Sequence, residues 1–114
     1  MITHEMIIHL FHIIIVGSLF LYVGIARKSI PEFLYPILFY LGIFVIIYHS
    51  WKAFQKIKAG KNAWINFMHI FLVGPLLVYI GFNKIATPRY CYEFLLMLGF
   101  ASIGYHSYYL LNGQ

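Results

Sequence analysis

The sequence predicts an all-α integral membrane protein, a four-transmembrane-helix bundle made by tandem, parallel duplication of a two-helix hairpin. Three observations carry this reading: a composition that water cannot solvate, four apolar runs of membrane-spanning length, and a repeat that maps the first half of the chain onto the second.

Of the 114 residues, 62% are hydrophobic and only 10% are charged, with a mean hydropathy of +0.82. A soluble domain carries about 25% charged residues over a largely polar surface. Eight basic and three acidic side chains cannot cover a water-exposed globule of this size. The solvent is therefore largely lipid. Unsatisfied backbone groups are costly in hydrocarbon, which leaves helices or a closed barrel. A barrel needs short strands alternating polar and apolar. Here the apolar runs continue for about 20 residues, the length a helix needs to cross roughly 30 Å.

The first span is placed at 6–26 and stops at the basic turn Arg27-Lys28-Ser29-Ile30-Pro31. It differs from a signal peptide, since Met1-Ile2-Thr3-His4-Glu5 has no basic residue and no A-x-A site follows. The second span, 33–51, begins just after Pro31, and the polar stretch from Lys52 to Asn62 joins it to the third, 64–83. The turn Asn83-Lys84-Ile85-Ala86-Thr87-Pro88-Arg89 leads into the fourth, 90–111.

Sliding the chain by 57 residues aligns 12–54 with 69–111 at 16 identical positions of 43, without a gap. Biased composition alone gives about four or five. The identities include His12/His69, Gly17/Gly74, Gly24/Gly81, Pro31/Pro88, Gly42/Gly99, Tyr48/Tyr105 and His49/His106. The repeats are 1–57 and 58–114, each a two-span hairpin, together forming one compact domain. Copies with an even number of spans enter the membrane in the same direction, so a pseudo-two-fold axis along the membrane normal is expected. Glycines seven residues apart on the first and third spans allow close helix packing.

The net charge of +5 sits in three short loops, where basic side chains anchor the interface; no soluble arm offers a nucleic-acid site. The partner is the lipid bilayer, with a second copy of the chain compatible with the composition. Both termini fall on the same side, and the four lysines Lys52, Lys56, Lys58 and Lys61 of one loop lean that side towards the cytoplasm. The single Cys91 excludes an internal disulfide. The richness in Ile, Phe, Tyr, Lys and Asn fits an AT-rich bacterial genome or a large DNA virus.

The histidines are the functional candidates. Ionisable groups inside a membrane are expensive and mark function by default. His12, His49, His69 and His106 should form one layer, because His12 lies about 9 Å into its span and His49 comes near the end of a span running the opposite way. Glu5, His9 and His12 make a polar stripe on the first span; Asn62, Asn66 and His69 are their counterparts.

Three readings follow. The leading expectation is a cofactor for electron transfer, b-type haem ahead of a bare transition metal, since paired imidazoles hold haem in membrane bundles. His12, His49, His69 and His106 would ligate it, as His12 with His49 and His69 with His106 or as one pair on the axis. Gly42 and Gly99 would leave room for the macrocycle, and Lys52 or Lys56 could meet its propionates. For a bare metal the ligand set widens to Glu5, His9, His12, His49, His69 and His106. The alternative is a histidine-lined proton or ion path, or a small transporter. The third reading is a structural membrane component, in a virus for example, with the histidines as interhelical hydrogen bonds. No nucleophile or carboxylate constellation for hydrolysis is present, no catalytic residue is assigned, and an enzyme other than a redox one is not expected.

Overall fold

The computed structural model describes residues 2–113. Among them no strand occurs. The chain forms four helices: α1 (His4–Ser29), α2 (Leu34–Lys58), α3 (Trp64–Ala86) and α4 (Arg89–Leu111). Each is long and apolar enough to cross a membrane. α1 starts slightly before the apolar run because Thr3 caps it, its hydroxyl accepting from the Met6 amide at 3.1 Å. α2 runs past residue 51 to Lys58, since the segment after Trp51 is rich in good helix formers and its lysines suit the negative end of the helix dipole.

The helices pack as two compact units. Unit 1 joins α1 to α4, and unit 2 joins α2 to α3. The hairpins 1–57 and 58–114 that repeat in sequence are therefore not the packing units: each unit takes one helix from each copy. Within the units, repeated residues do repeated work. Gly17, Phe20, Val23 and Gly24 are buried on α1, against Tyr92, Leu95 and Gly99 on α4. Their counterparts Gly74, Leu77, Ile80 and Gly81 are buried on α3, against Tyr35, Leu38 and Gly42 on α2.

In a bilayer, where lipid is as apolar as leucine, such contacts gain by close approach and dispersion more than by escaping water. Glycine permits that approach. A Cβ on Gly24 would lie 2.7 Å from Leu96 Cβ, and one on Gly81 only 2.5 Å from the Phe39 amide nitrogen. Large apolar side chains such as Phe71, Phe82 and Met97 remain exposed, which lipid tolerates and water does not.

Candidate functional site: two imidazole clusters

α1 and α3 share an irregularity at the same repeat position. His12–Val16 and His69–Val73 are π-helical turns, closed by the Gly17 amide on the His12 carbonyl and by the Gly74 amide on the His69 carbonyl. On a regular α-helix, residues five apart point about 140° away from each other. The wider turn brings them nearly into line. It thus sets His12 over the glycine stripe that meets α4, and His69 over the stripe that meets α2. Sequence periodicity gives no sign of the turn in α1. In α3 the one local signal is Pro75, which has no amide to donate and marks an interrupted ladder.

Each of these histidines is tied to its own helix. His12 Nδ1 lies 2.8 Å from the Ile8 carbonyl oxygen and His69 Nδ1 2.7 Å from that of Ile65. A carbonyl only accepts, so Nδ1 carries the proton in both rings. The facing helix supplies a second imidazole. His106 of α4 stacks on His12 with ring centroids 4.2 Å apart and planes at 19°. His49 of α2 stacks on His69 at 4.0 Å and 14°. The pairs are therefore His12 with His106 and His49 with His69, in place of the expected His12 with His49 and His69 with His106. The reason is the unit composition, since the hairpin neighbours are not the packed neighbours.

The third member differs between the copies. In unit 1, His9 Nδ1 lies 2.8 Å from His106 Nδ1, and the His9 ring also stacks on Tyr109 at 6.3 Å. Two Nδ1 atoms at that distance share a single proton, one donating and the other accepting. In unit 2 the equivalent residue is Asn66, whose Nδ2 donates to His49 Nδ1 at 2.8 Å. Asn66 is 3% exposed, and its Oδ1 is buried without a hydrogen-bond partner among the described residues. Turning the amide over exchanges an unmet acceptor for an unmet donor. Sequence alignment of the copies marks Asn66 as the counterpart of His9, but only the packing shows it to be a contact of His49.

The other candidates fall outside this geometry. Glu5 is exposed and, among the described residues, makes no ion pair or hydrogen bond with the histidines; His4 is exposed as well. Among the described residues, no three His, Cys, Asp or Glu side chains are placed to hold a metal ion. The room expected at Gly42 and Gly99 is taken by the facing helix. A Cβ on Gly42 would meet the Gly74 carbonyl oxygen at 2.7 Å, and one on Gly99 would meet Leu21 Cδ2 at 3.0 Å. Both stacked pairs are in ring-to-ring contact, so a macrocycle ligated by both members of either pair requires the rings to part.

No family model, curated protein or solved structure matches this chain. The site therefore has to be read from its own chemistry.

Proposed function

We propose that the chain is a small proton-conducting membrane protein, a single four-helix bundle with a pseudo-two-fold axis along the membrane normal and both termini on the cytoplasmic side. The observation that carries this reading is the 2.8 Å Nδ1–Nδ1 contact of His9 and His106. Uptake of a proton at Nε2 of the ring that holds the shared proton makes it an imidazolium. The shared proton then crosses to the other Nδ1, and that second ring releases a proton from its own Nε2. One proton has moved, and the hydrogen bond between the rings has reversed its direction. The charged intermediate is stabilised because its hydrogen bond is charge-assisted. Histidine suits this task because its charge changes near physiological pH.

The test is proton flux in liposomes carrying the purified protein and an entrapped pH-sensitive dye. Flux should rise as external pH falls, and His106→Ala should remove it. Flux equal to that of empty liposomes sinks the proposal.

One observation favours a second reading, a b-type haem or transition-metal protein serving electron transfer. The Nδ1–H to carbonyl contacts of His12 and His69 are of the kind that orient metal-ligating imidazoles. The visible spectrum of the purified protein, with metal analysis of the same sample, decides it. A Soret band that shifts on dithionite reduction and disappears in His49→Ala would establish haem. A colourless, metal-free protein would remove it.

A further inference from the structure

Two turns that the repeat makes equivalent differ in charge. In unit 1, the end of α1 and the start of α4 enclose an open notch of about 370 Å³ lined by Ala26, Arg27, Lys28, Ser29, Arg89 and Tyr92. Two of its three cations flank one carboxylate. Glu93 Oε2 lies 3.8 Å from Arg27 Nη2 and 3.4 Å from Arg89 Nε. Both distances exceed the roughly 2.7–2.9 Å of a charge-assisted hydrogen bond. Lys28 is exposed and has no ion pair among the described residues. One carboxylate against three cations leaves the notch with an excess of positive charge.

The second copy shows that the turn does not need Lys28 or Arg89. Lys84, Ile85, Ala86, Glu32 and Pro36 stand where unit 1 has Arg27, Lys28, Ser29, Arg89 and Glu93. The turn is nevertheless the same: Arg27 has φ 54° and ψ −123°, and Lys84 has φ 51° and ψ −127°. An L-residue is strained at positive φ. Both copies carry that strain, so it belongs to the turn. Lys28, Ser29 and Arg89 belong to something else.

The notch lies at the ends of two membrane-length apolar helices, the level at which lipid phosphates sit. Guanidinium groups match phosphate oxygens in planar, paired fashion. We infer that this notch binds the phosphate of an anionic membrane lipid, with Arg27 and Arg89 clamping its oxygens, Lys28 adding charge and the Ser29 hydroxyl donating a hydrogen bond. The proton-conduction reading plays no part in this assignment.

Native mass spectrometry of the full-length protein in detergent tests it, by titration with phosphatidate, phosphatidylcholine and inorganic phosphate in turn. Phosphatidate should be retained in clear preference to phosphatidylcholine. Each cation removed should weaken that retention about five-fold, in Lys28→Gln alone and further in Arg27→Gln with Arg89→Gln. Helicity by circular dichroism confirms that each variant is folded. If the double variant loses helicity, the exposed Lys28→Gln decides. The control is Lys52→Gln with Lys56→Gln, which removes the same charge from a second cationic notch lined by Lys52, Gln55, Lys56, Ala59 and Lys61. It should leave phosphatidate retention unchanged. Equal losses from the two double variants would mean bulk charge only and overturn the site. Binding of inorganic phosphate with no preference among lipids would assign the notch to a soluble anion and overturn the lipid assignment.

Discussion

Units 1 and 2 hold similar stacked histidine pairs and differ in the third group that joins each pair. Both stack an α1- or α3-borne histidine, tied back to its own helix, against a histidine of the facing helix. In unit 1 the third group is His9, so every member of the cluster can gain or lose a proton. In unit 2 it is Asn66, which can donate and accept hydrogen bonds but cannot carry charge. The stacked pair with its Nδ1 contact is common to both units, while a third imidazole is present in unit 1 alone. In unit 2 the Asn66 Oδ1 has no hydrogen-bond partner among the described residues, at the position where unit 1 has its shared proton.

The largest effect that can break this comparison is on proton flux. A positioned proton-transfer group contributes about a hundred-fold or more, so His106→Ala should lower flux by that order, while His49→Ala should lower it far less. Equal losses would show that the clusters act as one path. A smaller effect comes from exchanging the differing residue. His9→Asn gives unit 1 the chemistry of unit 2 and should cut flux several-fold and flatten its dependence on pH. Asn66→His should do the reverse. A pH profile unchanged in both would refute the assignment of the difference to titration.

The packing comparison is expected to be even-handed. Gly24→Ala and Gly81→Ala each drive a Cβ into backbone of the facing helix, and each should destabilise its unit by about 1–3 kcal/mol, read from unfolding in detergent. A loss in only one would mean that the units are less alike than their buried residues imply. The smallest expected change is at Gly104 of α4, whose counterpart is Ile47 and where an added Cβ would meet nothing within 4 Å. Gly104→Ala should stabilise the helix by up to about 1 kcal/mol, and any loss would reveal a contact that this helix pair does not provide.

The parts of this protein that were legible from sequence are the four long apolar helices. Hydrocarbon forces continuous helices, so the apolar runs gave the spans, with α2 overrunning its expected end only where Lys52 to Lys58 continue the helix beyond the apolar run. The repeat was legible because identities such as His49/His106 and Gly42/Gly99 align without a gap. Partner choice was not. Each of the four helices carries at least one buried glycine and a histidine, so nothing in the chain distinguishes α4 from α2 as the neighbour of α1. The π turns were also hidden, since a one-residue widening changes hydrogen bonding without changing composition. For the same reason the stacking of His12 on His106 could not be read from helix faces drawn with a regular period.

That each unit takes one helix from each repeat has a consequence for assembly. In this structure neither packing interface lies within a single repeat: α1 meets α4 and α2 meets α3. The segment from Ala59 to Ala63 is the covalent link between the two repeats. A gene cut within that segment should therefore yield two fragments that find each other in the membrane and restore both clusters.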